Sequence, residues 1–341
     1  MGRYSDLLEK VKKTAREVAK IAKNDGSVSV KQKGAKDFVT EVDMRISDVL
    51  CEKLPGLLEG SIVISEEGYK GKPDQKYCWI IDPIDGTSNF IYSHPDYAIS
   101  IGLLENAEPV LGVVYSPQSQ EMFYAAKGEG AYCNGKRIFV CRDASVSQTL
   151  VLAETNPYSD RVANKFPQVF SNIYRDCIDY RITGSAALDC CYIACGRGGA
   201  FIAENLKPWD YAAGEIIVRE AGGSFSQWDG RRPTYYGNTT ALATNTLVHE
   251  EILGRLKQYI ETNRQENKKE AAGYGLVCRT VLLYSYWNGR CLWHINWYGE
   301  TAPDQVGRNK NTFYGVDCHC PYDDYFKIWF SGCCRNGWIE L

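Results

Sequence analysis

The feature that most constrains the fold is an apolar run that ends in two carboxylates. Residues 79–81 read Trp-Ile-Ile, which predicts a buried strand, and Asp82 follows them directly. Pro83 has no N–H to give to a sheet, so we expect the strand to stop there. Asp85 comes three residues after Asp82, and Gly86 next to it lets the backbone approach a ligand closely. Both carboxylates can therefore face one point.

Two interpretations of this stretch are open from the residues alone. Asp-Pro and Asp-Gly are common turn formers, so the pattern D-x-x-D-G also suits an ordinary turn. Two converging carboxylates repel each other unless a cation lies between them, and hard oxygen ligands favour magnesium, calcium or manganese.

Two further stretches place acids in comparable positions. Residues 61–65 form another apolar strand pattern, and Glu66 and Glu67 close it. Asp210 lies in the first turn of a predicted helix that runs on through residues 216–218. An acid at that place also favours the helix dipole, which is the alternative explanation for Asp210.

Three stretches resemble the signature motifs of the inositol monophosphatase family, which are magnesium-dependent, lithium-sensitive phosphomonoesterases: Glu66-Glu67, Asp82-Pro83-Ile84-Asp85-Gly86-Thr87 and Trp209-Asp210-Tyr211-Ala212-Ala213-Gly214. The resemblance covers residues 1 to about 262, with the motifs in the family's order and spacing. It implies a fold with an α+β half and an α/β half, the layered αβαβα sandwich of the inositol monophosphatase and fructose-1,6-bisphosphatase type. It also implies a homodimer and inhibition by Li⁺.

The resemblance implies a set of metal ligands. One Mg²⁺ is held by Glu66, Asp82 and the backbone carbonyl of Ile84. A second is held by Asp82, Asp85 and Asp210, with Asp82 bridging the two ions. A third, weaker ion near Glu66 is also found in this family.

The resemblance further implies the catalytic and substrate-binding residues. Glu66 and Thr87 orient the attacking water, and Asp43 lies behind Thr87; on the residues alone Asp43 is equally a helix-start acid. The phosphate oxygens are bound by the N–H groups of Gly86 and Thr87, and Asp85 and Asp210 are also among the substrate-binding residues. Substrate hydroxyls are contacted by Glu204, Gly184 and Ser185, although a Gly-Ser helix start is also a plain cap.

Composition limits the partners that we expect. With 39 basic and 42 acidic residues the net charge is −3, which implies no strong attraction to nucleic acid or to an anionic membrane. No apolar run approaches the length of a membrane span, and the N-terminal residues hold no apolar signal segment. We therefore expect a cytoplasmic protein whose partner is a small phosphorylated substrate, with no membrane and no nucleic acid.

The chain divides into a catalytic part and a dissimilar C-terminal segment. Residues 1–146 show strands joined by tight turns and predict a mixed or antiparallel sheet with helices, whereas residues 147–262 alternate strand and helix, including a weak helix over 161–170. Residues 263–272 are polar and predict a linker. Residues 273–341 hold six of the fourteen cysteines and resemble no family.

Two interpretations of the C-terminal segment remain. Cys318-His319-Cys320 and Cys333-Cys334 are zinc-binding residue types, but the C-x-x-C spacing typical of such sites is absent. An unrelated appended segment is the alternative.

Four functions remain open for the catalytic part. The first is hydrolysis of myo-inositol monophosphate or a similar polyol phosphate. The second is a sister activity on fructose 1,6-bisphosphate, histidinol phosphate or adenosine 3′,5′-bisphosphate. The others are binding of RNA or the transcription machinery, and an inactive homologue. Lys207, where animal members of the family differ, favours a more anionic or bulkier substrate.

Overall fold

A computed structural model describes residues 2–23, 30–32, 38–68, 75–154, 169, 171–273, 279–287, 290–298, 327–330 and 337–340. The chain forms two compact units, Met1–Ile260 and Glu261–Leu341. The first unit contains two large sheets, a two-stranded sheet and all of the motifs that carry the family resemblance. The helix predicted over 161–170 lies outside the described residues, apart from Val169.

The first half of the chain builds a seven-stranded sheet. Helices α1, α2 and α3 span Ser5–Lys23, Glu41–Leu57 and Thr87–Ile91, and the short strands β1 (Val30–Gln32) and β2 (Phe38–Thr40) pair with each other. The strands of the large sheet follow one another in chain order: β3 (Ser61–Ser65), β4 (Tyr77–Asp85), β5 (Ala98–Glu105), β6 (Glu108–Ser116), β7 (Glu121–Ala126), β8 (Gly130–Cys133) and β9 (Lys136–Arg137). Only the pair β3–β4 is parallel, so the sheet is mixed, as predicted.

The prediction that the strand stops at Pro83 is wrong. β4 continues to Asp85, and its pairing with β5 shifts register between Asp82, which faces Ser100, and Asp85, which faces Ala98. Three steps along β4 thus correspond to two along β5, which is a β-bulge. A bulge tolerates proline because the extra residue does not donate to the ladder.

The second half builds a five-stranded sheet with the order β11-β10-β12-β14-β13. Its strands are β10 (Leu150–Glu154), β11 (Asp179–Arg181), β12 (Ala200–Leu206), β13 (Ser224–Ser226) and β14 (Thr239–Thr244), and its helices are α4 (Ala186–Ala194), α5 (Pro208–Glu220) and α6 (His249–Gly273). β10 is parallel to both of its neighbours, whereas β14 is antiparallel to β12 and β13.

Buried side chains show the order of the layers. Residues of α1 and α2, among them Val11 and Ile46, share one core cluster with the first sheet. Residues of α4 and α5 lie in a second cluster that contains Ile80 of the first sheet and Phe201 of the second. Residues of α6 pack on the second sheet in a third cluster. The layers therefore run αβαβα, which confirms the fold class.

The polar stretch 263–272, predicted as a linker, is helical and forms the C-terminal part of α6. Its Glu, Gln, Lys and Ala residues are good helix formers, and it contains no proline or glycine, which explains why this predicted linker is helical.

The C-terminal segment, in which the sequence shows no sustained periodicity, contains two antiparallel strand pairs. One joins β15 (Arg279–Trp287) to β16 (Arg290–Tyr298), and the other joins β17 (Lys327–Phe330) to β18 (Gly337–Glu340). The cysteines at 318, 320, 333 and 334 and His319 lie outside the described residues. No helix in the described part of the chain is long and apolar enough to cross a membrane.

Candidate active site

Three carboxylates from two structural elements converge in the first unit. Asp82 and Asp85 come from the bulged end of β4, and Asp210 comes from the first turn of α5. One oxygen atom of each lies within 4.8 Å of the others. The bulge explains why both acids of one strand reach the same point, since an unbroken strand sends residues 82 and 85 to opposite faces.

The start of α4 fixes the orientation of Asp85. Oδ2 of Asp85 accepts hydrogen bonds from the hydroxyl of Ser185 and from the backbone N–H of Ala187, the latter at 2.8 Å. Ser185 is also the N-cap of α4, because its hydroxyl accepts from the N–H of Leu188. The predicted cap role of Ser185 is therefore seen, together with a contact to a candidate metal ligand.

Asp210 is fixed by its own helix. Its Oδ2 accepts the backbone N–H of Lys207 at 2.7 Å, just before Pro208 begins α5. The carbonyl of Trp209 accepts the hydroxyl of Ser100 on β5 at 3.3 Å, which ties the start of the helix to the first sheet. Capping of its own helix thus explains the position of Oδ2 of Asp210.

Burial and mutual repulsion make the ionised forms of Asp82, Asp85 and Asp210 unfavourable in the metal-free protein. Burial raises the pKa of Asp82 well above its usual value, and the negative charges of Glu66 and Asp85 raise it further. Burial and the charges of Asp85 and Glu66 also raise the pKa of Asp210. The pKa of Asp85 rises to about 6 through burial, although the hydrogen bond from Ser185 opposes the rise. A cation at this place would remove the repulsion.

Thr87 and Asp43 form a polar pair beside the cluster. The hydroxyl of Thr87 lies 3.1 Å from the carbonyl oxygen of Ile84 and 3.3 Å from Oδ1 of Asp43. Oδ2 of Asp43 accepts the backbone N–H of Thr40 at 3.0 Å in a capping box that starts α2. Burial raises the pKa of Asp43 to about 6. Asp43 is therefore both a helix-start acid and a neighbour of Thr87.

Gly86 lies at a tightly packed turn. Its φ is +91°, a left-handed conformation that L side chains rarely adopt. A Cβ atom there would lie 2.9 Å from the carbonyl oxygen of Asp96 and 3.1 Å from that of Gly184. Glycine is thus required at this turn for its conformation and for the close approach of Gly184.

A cavity of about 510 Å³ opens beside these residues. Its lining includes most of the residues that the sequence points to: Glu66, Asp82, Ile84, Asp85, Gly86, Thr87, Gly184 and Asp210. Lys207 also lines it. Asp43 and Ser185 are not in the lining and lie behind Thr87 and Asp85.

Glu204 is a third predicted site residue, after Asp43 and Ser185, that is not in the cavity lining. It lies on β12 next to a register irregularity between Ala203 and Leu206, and its neighbour Asn205, with φ +68°, lines the cavity instead. Consecutive strand residues face opposite sides, so a local irregularity decides which of the two reaches the site.

Glu154 is a cavity-lining acid that sequence reasoning missed. It ends β10, and burial, helped by the charge of Asp85, raises its pKa to about 8. An acid directly after an apolar strand run is the signal that pointed to Glu66 and Asp82, and it was available here too. The apolar pattern of residues 150–153 predicts a strand that ends one residue earlier, at Ala153, so the prediction left Glu154 outside the strand.

Comparison with known proteins identifies the family. The family model described as the inositol monophosphatase family matches residues 4–262. The chain belongs to this family. It is 35% identical over 248 residues to the protein named Nus factor SuhB of Salmonella typhimurium, covering 72% of this chain and 92% of that protein. It is 36% identical over 231 residues to the fructose-1,6-bisphosphatase/inositol-1-monophosphatase of Thermotoga maritima, covering 68% and 87%.

Solved structures agree with this assignment. The IMPase of Thermotoga maritima matches with a TM-score of 0.67 and 32% identity, over 75% of this chain and 99% of that one. The match supports the layered sandwich that the core clusters show. The chain therefore has a fold that phosphatases share, and its cavity contains an acidic cluster.

Proposed function

We propose that this protein hydrolyses a phosphate monoester with the help of Mg²⁺, and that the substrate is myo-inositol monophosphate or a similar polyol phosphate. The observation that carries the proposal is the convergence of Asp82, Asp85 and Asp210 within 4.8 Å at the wall of a cavity. The donors fit magnesium, because all are hard carboxylate oxygens and their mutual repulsion calls for a divalent cation.

The proposal assigns the metal ligands as the family resemblance does. Glu66, Asp82 and the carbonyl of Ile84 would hold one ion, and Asp82, Asp85 and Asp210 a second, with a third, weaker ion near Glu66. Magnesium bound there would neutralise charge on the phosphoryl oxygens and lower the pKa of a bound water.

The protein's own groups orient the reactants. The N–H groups of Gly86 and Thr87 start α3, and backbone N–H groups at such a turn bind phosphate oxygens. The Thr87 hydroxyl orients the attacking water together with Glu66, and it passes a proton toward Asp43, whose pKa of about 6 suits a group that accepts one near neutral pH. Gly184, Ser185 and Glu204 are assigned to the substrate hydroxyls.

The substrate assignment can be tested by comparing four phosphate esters that enzymes of this fold hydrolyse. Release of inorganic phosphate with Mg²⁺ should be measured on inositol 1-phosphate, fructose 1,6-bisphosphate, histidinol phosphate and adenosine 3′,5′-bisphosphate. Highest kcat/KM on inositol 1-phosphate supports the proposal, and highest kcat/KM on another of the four replaces it with that sister activity. Inhibition by Li⁺ is expected.

The metal assignment is tested by Asp82→Asn, which removes the negative charge of the carboxylate that is proposed to bind both ions. We expect turnover to fall by about 10³-fold or more while the circular dichroism spectrum is kept. Near-normal magnesium-dependent turnover of the folded variant would contradict the assignment.

A second function is favoured by one observation, the name Nus factor carried by the relative that is 35% identical. On this alternative the chain binds RNA or the transcription machinery. Electrophoretic mobility shift with RNA separates the two, because Asp82→Asn should abolish hydrolysis and leave such binding unchanged.

The same proposal includes residues 1–262 as the complete catalytic unit, a homodimer and a cytoplasmic location. Every motif residue lies before residue 262, which supports the first of these. A truncation after Thr262 should keep kcat/KM within a few-fold, and light scattering on the intact chain tests the dimer.

A further inference from the structure

The turn that holds Asp85 is itself held by side chains that the proposed reaction does not use. Ser185 and Ala187 both donate to Oδ2 of Asp85, so the position of the turn at residues 183–185 decides where this carboxylate points. Gly184 in the same turn approaches Gly86, since a Cβ on Gly86 would lie 3.1 Å from its carbonyl oxygen. Whatever fixes the turn therefore fixes the geometry of the acidic cluster.

Asn89 holds the turn from one side. Its side-chain Nδ2 donates to the carbonyl of Thr183 at 2.7 Å and to the carbonyl of Asp96 at 2.6 Å, so both amide hydrogens are used. This amide joins the segment after Gly86 to the turn before α4.

Asp189 holds the turn from the other side. Its Oδ1 accepts the hydroxyl of Thr183 at 2.8 Å, and the oxygen of that hydroxyl accepts the backbone N–H of Ser185 at 3.2 Å. A continuous chain of hydrogen bonds thus runs from Asp189 through Thr183 and Ser185 to Asp85. Its members are within seven residues of one another except Asp85, which lies 100 positions earlier than Ser185.

Burial of the Asp189 carboxyl group destabilises the folded protein, so we expect the residue to have a function. Its side chain is fully buried, and its Oδ2 has no hydrogen-bond partner among the described residues. Burial and the charge of Glu154 raise its pKa well above the usual value. A buried carboxyl group without full hydrogen bonding is destabilising. The dipole of α4 favours an acid in its first turn, but an exposed acid would gain as much without the cost of burial.

We propose that Asp189 is a positioning residue: through Thr183 and the 183–185 turn it fixes the orientation of Asp85 toward Asp82 and Asp210. The inference rests on the proposed metal-dependent function, because the carboxylate that it orients is a proposed ligand. Asp189 itself touches neither substrate nor metal. Its effect should therefore appear in the order of the turn and in metal affinity.

Three variants and one control test the proposal. Asp189→Leu and Thr183→Val each remove the hydrogen bond between these residues, while Asp189→Asn keeps an oxygen that can accept from Thr183. Ile193→Ala is the control, because Ile193 lies fully buried at the other end of α4. It should destabilise the fold by a few kcal/mol without touching the turn.

The first measurement needs no metal. Hydrogen–deuterium exchange on the chelator-treated protein should show faster exchange at the amides of Ser185 and Ala187 in Asp189→Leu and in Thr183→Val, relative to the rest of α4. Ile193→Ala should speed exchange along the helix with no such preference. Exchange at these two amides equal to that of the wild type would overturn the proposal.

The second measurement is Mg²⁺ binding by calorimetry. Both disruptive variants should weaken affinity by about 10-fold or more, as is typical when groups that orient a ligand are removed. The double variant should be little weaker than either single variant, Asp189→Asn should stay within about threefold of the wild type, and Ile193→Ala within about twofold. Additive losses, or losses no larger than those of Ile193→Ala, would overturn the inference.

The two proposals fail in different ways. If the wild type binds Mg²⁺ and hydrolyses phosphate esters but the variants behave as the control does, only the role of Asp189 is wrong. If the wild type binds no Mg²⁺, the proposed function is wrong, and the exchange data then decide whether Asp189 fixes the turn.

Discussion

Replacement of Gly86 by alanine tests the tightest contact of the site. At φ +91° and ψ 42° the backbone is left-handed, which costs an L residue about 1–2 kcal/mol. The new Cβ would also meet two backbone carbonyls, at 2.9 Å for Asp96 and 3.1 Å for Gly184. Neither carbonyl can rotate away as a flexible side chain would. Overpacking of this kind adds about 1–3 kcal/mol, so we expect Gly86→Ala to lower the free energy of unfolding by about 2–5 kcal/mol.

Gly222→Ala is the matched control. Gly222 has nearly the same φ, +87°, but a Cβ there meets nothing within 4 Å among the described residues. It should therefore show the conformational cost alone, about 1–2 kcal/mol. Both variants are unfolded with urea in the absence of metal. If the slope of unfolding free energy against urea concentration is the same for both, the difference between their losses gives the contribution of the close contacts of Gly86 with Asp96 and Gly184. Equal losses in the two variants would refute the argument that Gly184 and Asp96 require glycine at position 86.

The same pair separates stability from function. In Gly86→Ala the backbone must shift, and the N–H groups of Gly86 and Thr87 shift with it away from the phosphate position. We expect kcat to fall by at least about 10-fold, because misplaced electrostatic donors commonly cost this much. Gly222→Ala should keep the wild-type kcat. A kcat within twofold of the wild type for Gly86→Ala would show that these N–H groups take no part.

Three further predictions follow from the geometry. Thr87→Ala should lower kcat by about 10²–10⁴-fold with Mg²⁺ affinity kept, as steady-state kinetics and calorimetry would show, because Thr87 orients a water and moves a proton. Glu204→Gln should raise KM for polyol phosphates more than for an aryl phosphate without hydroxyls, if the irregularity in β12 brings Glu204 to the substrate; Asn205→Ala is the comparison. The chelator-treated protein should lose at least about 3 kcal/mol of unfolding free energy as pH rises from about 4 through about 6, measured by urea denaturation. Folded Asp43 alone accounts for about this much, because it keeps a proton that the unfolded chain has released, and Asp85 adds to the loss in the same direction; Mg²⁺ should restore more stability at pH 8 than at pH 5.

Each of these predictions has a result that contradicts it. A less than threefold change in kcat for Thr87→Ala, or a collapse of magnesium affinity, would make Thr87 a structural turn residue. A selective effect in Asn205→Ala but not in Glu204→Gln would transfer the contact with hydroxyls to Asn205. Metal-free stability that rises with pH would reverse the direction that burial gives to the pKa of Asp43.

The sequence allows prediction of those features that depend on neighbouring residues. The apolar repeat of residues 5–23 predicts a helix and the pattern of residues 121–126 predicts a strand, and both elements have these bounds in the structure, because periodicity and turn residues are local signals. Glu66 after β3 and the acids at the end of β4 could be identified from strand runs, and the family resemblance joined them to Asp210. The helical conformation of residues 263–272 could not be predicted, because polar composition is shared by flexible linkers and by solvent-exposed helices.

The bulge in β4 could not be predicted from its own residues. Pro83 blocks a regular ladder, and the sequence alone does not say whether a strand then stops or bulges. The neighbouring strand decides: Ala98 pairs with Asp85 beyond the irregularity, so β5 extends the sheet past Pro83. This pairing places Asp85 beside Asp82, and the acidic cluster thus depends on a contact between residues that are distant in the chain.

The role of Asp189 is hidden in the sequence for a related reason. Read locally, it is an acid in the first turn of an apolar helix, where the dipole is a sufficient explanation. Its burial arises only when α4 is enclosed between the two sheets, and its link to Asp85 arises only when the turn before α4 meets the end of β4. A polar residue that the layers bury without full hydrogen bonding is therefore the signal to look for, and it becomes visible only once the layers are assembled.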